Sequence, residues 1–194
     1  MEDCYGIETY YLNDLSICDD HIKAFNSQEA QQYHIKGRCA GENGVINSSP
    51  SKVSTDMPFA INTKFDFCVN YLNELSEFLN QYLEKYPRAN ATTATFSIKR
   101  SYQLQYYKPT EGFFKWHTER SGSPETQNRH LVFMTYLNDV TDGGETEWEL
   151  QNLKVSARKG KTLIWPVDWM FTHRGITSPT QEKYILTGWY TFDE

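Results

Sequence analysis

From Phe96 to the C-terminal end, apolar residues alternate with polar ones, and a chain patterned with period two folds into strands that bury one face. Phe96, Ile98, Tyr102, Leu104 and Tyr106 share one parity. Val132, Met134 and Tyr136 share a face of a later run, and Ile185, Thr187 and Trp189 do so in the last. Residues 148–155 and 162–165 read as further short strands, separated by turns at Gly143-Gly144 and Lys159-Gly160. Short, evenly spaced strands with turns between them indicate a β-sandwich or a jelly-roll barrel.

The N-terminal half is patterned differently. Residues 5–12 read as a strand and 14–25 as a short helix behind an Asn13 or Asp14 cap. Residues 37–58 are rich in Gly, Ser, Asn and Pro and read as a loop. Over 65–86, Cys68, Tyr71, Leu72, Leu75, Phe78, Leu79, Tyr82, Leu83 and Tyr86 fall on one face of a helix, with a Thr63/Asp66 capping box before it and Pro87 as its stop. Such a stripe needs a flat apolar partner, so its rings are read as core and the helices as a buttress for one outer sheet.

With 194 residues, 39% hydrophobic and 15% aromatic, the chain is expected to fold as one domain, 1–94 giving helical and loop support and 95–194 the β core. A net charge of −6 argues against a surface that follows a phosphate backbone. Lys99-Arg100 and the Arg158, Lys159, Lys161 group read as solvated strand ends. Cys4, Cys18, Cys39 and Cys68 show no metal-ligand spacing and read as reduced thiols. The start, MEDCYGIE, lacks the apolar region of a signal sequence, and no apolar run has the length of a membrane span. A soluble, cytoplasmic protein is expected, and the sequons at Asn47 and Asn90 are read as chance. Nothing in the sequence bears on oligomeric state.

Chemistry enters at His117-Thr118-Glu119, where strand alternation would turn two donors to one side of a sheet. A third donor is needed from elsewhere. His173, 56 residues on, follows a predicted strand and a loop, where a neighbouring strand of a jelly roll could bring it close. Two imidazoles and one carboxylate leave open positions for a chelating co-substrate and dioxygen, as in non-haem Fe(II) oxygenases. Lys183 shares the parity of Ile185, Thr187 and Trp189, so its ammonium would point inward, where a bound anion would neutralise it, unless its place at the strand's beginning lets it snorkel to water. His21 and His34 read as structural or exposed, and His130 as a strand-entry surface residue.

In this order the residues over 95–194 resemble the prolyl 4-hydroxylase-like branch of the Fe(II)/2-oxoglutarate-dependent dioxygenases. Tyr107, Gly112 and Phe114 precede His-Thr-Glu, and Arg129 leads into Tyr136-Leu137-Asn138-Asp139. Gly143-Gly144-Glu145-Thr146 follows, then an apolar strand opened by Gly160. Lys183 stands ten residues after His173, and Tyr184-Ile185-Leu186-Thr187-Gly188-Trp189 closes the chain like the last family strand. Glu119 departs from the family's Asp, and its extra methylene displaces the carboxylate by more than an ångström unless the backbone adjusts.

The resemblance implies a mainly β fold with flanking helices, a double-stranded β-helix (jelly-roll, cupin-like) core with N-terminal supporting helices. It implies Fe(II) on His117, Glu119 and His173, with 2-oxoglutarate and dioxygen as co-substrates, and it admits ascorbate as a further cofactor. Lys183 would pair with the distal carboxylate of 2-oxoglutarate, Tyr136 and Thr187 would hydrogen-bond to it, and Tyr107 and Trp189 would line the pocket. The reaction implied is hydroxylation of an unactivated C–H bond with release of succinate and carbon dioxide, first of all on a peptidyl proline, bound under the 37–58 loop as a lid. A free amino acid, another protein side chain or another small molecule is the alternative substrate. A zinc hydrolase could use the same donor set, and a non-catalytic cupin-like module could retain it.

Overall fold

The structure is a computed structural model, and it describes residues 5–40, 46–47 and 50–193. The elements in chain order are β1 (Glu8–Tyr11), α1 (Ser16–Phe25), β2 (Ile35–Lys36), β3 (Cys39–Ala40), β4 (Ile46–Asn47), β5 (Thr55–Ala60) and α2 (Asp66–Lys85). They continue with β6 (Phe96–Ile98), β7 (Ser101–Tyr107), β8 (Arg129–Tyr136), β9 (Thr146–Trp148), β10 (Leu153–Val155), β11 (Lys161–Pro166), β12 (His173–Gly175) and β13 (Lys183–Phe192).

The main sheet runs β1-β11-β8-β13-β7-β5-β2, with β6 also paired to β13. All its pairs are antiparallel. A smaller antiparallel sheet runs β10-β9-β12, and a bridge from His117 to His173 puts the His117 segment along the free edge of β12. The fold is therefore mostly β, a jelly roll of two sheets with two long helices against the larger one.

Alternation decides what each face of the main sheet meets. Tyr102, Leu104, Leu131, Phe133, Tyr184, Leu186 and Tyr190 join the core under the helices. Their neighbours of opposite parity, including Tyr107, Val132, Met134, Tyr136 and Ile185, form a second core between the sheets. Helix α2 completes the first core by burying Cys68, Tyr71, Leu75, Phe78 and Tyr82 at helical spacing. The central strands β8 and β13 thus have both faces covered.

Several boundaries differ from the sequence reading, each for a local reason. The 37–58 region runs into β5, a strand of the main sheet paired to β7 through Pro58↔Gln103. Asp56 and Pro58 disguise it as a loop. Proline is tolerated because β2 pairs only with Thr55 and Asp56, leaving the outer edge beyond them without a strand partner among the described residues. The predicted 148–155 strand is a hairpin, β9 to β10, turned at Asn152 with φ +47. Helix α1 starts at Ser16 behind Leu15, which offers no side-chain cap. Asp14 accepts the Ser16 N–H at 2.9 Å, while the Asn13 and Asp14 N–H groups donate to Glu74 on α2. Likewise Phe65, not Thr63, caps α2, with no side-chain hydrogen bond, so the capping box does not form.

The clusters read as solvated are in part ion-paired, Lys99 with Asp193 and Lys159 with Asp19. Cys18, Cys39 and Cys68 are free thiols, and Cys4 lies outside the described residues. Buried His21 is structural, bonding the Ile17 carbonyl and the Tyr102 hydroxyl. His130 is half-buried with Nε2 on the Ala89 carbonyl, and His34 stacks on Phe25. Among the described residues no helix is long and apolar enough to cross a membrane.

Candidate metal centre

His117 lies in the irregular segment between β7 and β8 rather than on a strand, so strand alternation is not what aligns it with Glu119. Instead the chain is tied down twice. The His117 and His173 backbones exchange hydrogen bonds of 3.0 and 2.9 Å, and the Glu119 N–H donates to the Val167 carbonyl at 3.2 Å. These contacts bring together all three residues that the sequence singled out.

Each imidazole is held in one tautomer. His117 Nδ1 lies 2.8 Å from the Lys115 carbonyl, and His173 Nδ1 lies 2.9 Å from the Phe171 carbonyl. A carbonyl can only accept, so Nδ1 carries the hydrogen in both rings and Nε2 keeps a free lone pair. Glu119 Oε1 sits 3.7 Å from His117 Nε2 and 3.4 Å from His173 Nε2. The three donor atoms lie within 4.8 Å of one another and could hold one metal ion.

Electrostatics favour the ligating protonation states. Burial, with the neighbouring His173, pushes His117 down to about 3, so it is neutral at physiological pH. Burial alone would raise Glu119, but the His173 and His117 rings beside it and the Arg129 guanidinium outweigh this and hold the carboxyl well below its usual range. Phe113 stacks flat on His117, with centroids 3.5 Å apart and planes at 9°, and Trp165 packs edge-on to His173 at 5.2 Å.

The donor set opens on a cavity of about 490 Å³ whose wall includes Gln105, Tyr107, Met134, Trp165, Lys183 and Thr187. Lys183 is 6% exposed, and its ammonium makes one hydrogen bond, 3.3 Å to the Gly144 carbonyl. It lies 5.1 Å over the Tyr107 ring, and among the described residues no carboxylate pairs with it. Burial pushes its pKa down to about 8, against a smaller opposing pull from Glu145.

The other expected residues divide. Tyr107 and Thr187 line the cavity, with hydroxyls donated to Gln105 Oε1 and the Phe133 carbonyl. Trp189 also lines it, but its indole N–H is committed to Glu119 Oε2 at 3.0 Å. Tyr136 is not part of the wall. Its hydroxyl donates to Thr146 Oγ1 at 2.6 Å, with the Val155 carbonyl at 3.2 Å. Thr146 stands between Tyr136 and the cavity.

Sequence reading missed three contributors. Arg129 donates to Glu119 Oε2 at 3.2 Å and to the Glu119 carbonyl at 2.9 Å. Lys52 and Asp56 form a buried 2.8 Å ion pair on the cavity wall. Their spacing of four was visible, but it lay in a stretch that looked like a loop.

Residues 102–191 match the sequence profile of the 2OG-Fe(II) oxygenase superfamily. The matched stretch runs from β7 into β13 and contains His117, Glu119 and His173. The whole chain superposes on the viral collagen prolyl hydroxylase of Paramecium Bursaria Chlorella virus-1 in its 2OG complex, at TM-score 0.70 and 16% identity, covering 99% of this chain and 98% of that one. A Pseudomonas putida prolyl-4-hydroxylase gives 0.71 and 13%, covering 97% and 94%. A Trichoplax adhaerens prolyl hydroxylase in complex with a hypoxia inducible factor oxygen degradation domain peptide fragment gives 0.68 and 15%, covering 97% and 84%. No curated protein matches the sequence. Fe(II), 2-oxoglutarate and dioxygen are the metal and co-substrates of this family of dioxygenases. The nitrogen and oxygen donors found here suit such an ion, with a cavity on their open side.

Proposed function

We propose that the protein is a prolyl hydroxylase acting on a peptidyl proline, with Fe(II) held by His117, Glu119 and His173. The observation that carries this reading is the pairing of two features in one cavity: three convergent donors and a buried ammonium that lacks an anion. The superposition on prolyl hydroxylases, one of them in complex with a peptide, supports the choice of substrate class.

When bound, Fe(II) with 2-oxoglutarate and dioxygen supplies the oxidation of a C–H bond, with succinate and carbon dioxide as co-products. The chain's own part is to bind, orient and exclude water. Nδ1–H donation to Lys115 and Phe171 keeps both Nε2 lone pairs aimed at one point. Lys183 receives the distal carboxylate, which supplies the charge its ammonium lacks, and Thr187 and Tyr107 shape the wall beside it. Tyr136 acts through Thr146, fixing that hydroxyl's direction. Trp165, Met134 and Ile185 keep this end of the cavity apolar, which strengthens the charge pairing within it.

The test combines anaerobic Fe(II) titration with succinate release and peptide mass. The expected outcome is one Fe(II) per chain, lost in His173→Ala, and proline-containing peptides that raise succinate release and gain about one oxygen atom in mass. Peptides that gain no mass while a free amino acid is oxidised would move the assignment to that substrate. Zinc-dependent hydrolysis without succinate would remove the oxygenase reading.

A further inference from the structure

Glutamate in place of the expected aspartate should leave the carboxylate too far forward, yet Glu119 Oε1 points at both imidazoles. What corrects its reach is on the other oxygen. Oε2 receives the Trp189 indole N–H at 3.0 Å and the Arg129 guanidinium at 3.2 Å. Arg129 lies flat over the Trp189 ring, 3.6 Å from its centroid, and the same Nη1 donates to the Glu119 carbonyl. The three side chains form a closed triangle.

Its two donors are firmly based. Arg129 opens β8, Trp189 lies on β13, and these strands pair with each other through Trp189↔Val132 and Thr191↔Arg129. The carboxylate comes from the irregular segment facing them. The sheet therefore sets where Oε2 sits, and with the Glu119 backbone tied to Arg129 and Val167 at the other end, little freedom is left to Oε1.

We propose that Arg129 and Trp189 are positioning residues for the Glu119 carboxylate, spaced for glutamate rather than aspartate. This rests on the metal-site reading given above. Removing one methylene shortens the side chain by about 1.5 Å. An aspartate could then keep the two donors or approach the ion, but not both without moving the backbone that Arg129 and Val167 hold. Restoring the residue usual in the family would thus weaken the site in this chain.

The experiment is a double-mutant cycle read by anaerobic Fe(II) affinity and by the visible spectrum of the Co(II)-loaded protein. Loss of a group that orients a ligand commonly costs about 10–100-fold in metal affinity. Trp189→Phe and Arg129→Met should each weaken Fe(II) by at least about tenfold and shift the Co(II) bands, with apo unfolding midpoints checking that the variants fold. Glu119→Asp should weaken Fe(II) as well, and Trp189→Phe should add little on top of it, because an aspartate drawn to the ion has already given up that donor. Wild-type affinity in Trp189→Phe, full additivity on the Glu119→Asp background, or tighter binding in Glu119→Asp alone would each overturn the proposal. Should Arg129→Met fail to fold, the Glu119 and Trp189 arms decide the matter by themselves. A failure of the metal-site reading is distinct, since the wild-type protein itself would then bind no Fe(II).

Discussion

At the scale of single residues, Lys183 is the side chain whose state most depends on what fills the cavity. An anion beside a buried ammonium forms a pair whose truncation commonly costs about 2–5 kcal/mol, or tens to thousands of times in affinity. Lys183→Met should show that loss for 2-oxoglutarate in an anaerobic titration while Fe(II) affinity is kept, and Lys183→Arg should retain part of the binding. The pH dependence has a definite sign. Burial lowers this lysine from 10.5 to about 8, so the empty protein sheds the proton more readily than the unfolded chain does. Its contribution to the stability of the empty protein rises between pH 8 and 10.5, where the unfolded chain holds more protons. Co-substrate binding runs the other way, flat below about pH 8 and weakening above it as the ammonium is lost. A pH-independent affinity up to pH 10, or an unchanged affinity in Lys183→Met, would show that the anion is held elsewhere.

At the scale of elements, α2 and the cavity share the main sheet but use opposite faces of it. Leu75 is fully buried between α2 and the sheet, and Leu75→Ala should cost about 2–5 kcal/mol of stability. Its Fe(II) affinity at 10 °C should nonetheless match wild type, measured by titration alongside a denaturant curve; a parallel loss of both would mean that α2 bears on the donors directly. This helix was legible because its stripe is long and its period clear, and β7, β8 and β13 were legible because alternation runs through them. β5 was not, because Asp56 and Pro58 carry the chemistry of turns and only the sheet's geometry makes them a strand. The three convergent donors were readable from their residue types and order, although the reason offered for their alignment was a strand that does not form. Arg129 escaped as a site residue because nothing in a linear sequence says that a strand's first side chain folds back over Trp189. Tyr136 was linked to the co-substrate by resemblance alone, and its hydrogen bond to Thr146 is a contact that no sequence pattern announces.

At the scale of the whole molecule, charge is distributed unevenly. The chain carries −6 overall, yet the charged residues lining the cavity include Arg38, Lys52, Lys115, Arg129 and Lys183 against only Asp56 and Glu119. A dianionic co-substrate is drawn toward such a mouth, and that attraction is screened over about 8 Å at physiological ionic strength. Raising the salt concentration should slow 2-oxoglutarate association in stopped-flow measurements while leaving dissociation nearly unchanged, because Lys183 is shielded from solvent and the rim is not. Equal effects on both rates would place the attraction at the buried lysine alone.

The reciprocal main-chain bonds between His117 and His173 have a thermodynamic consequence. Two imidazoles on neighbours joined by main-chain bonds keep their separation through that pairing, and their tautomers through local carbonyls, whether or not an ion is present. Loading the metal then asks little further ordering of the chain, so its free energy is set mainly by dehydration and by the new bonds to the ion. In proteins whose sites form only on binding, that same quantity is dominated by folding.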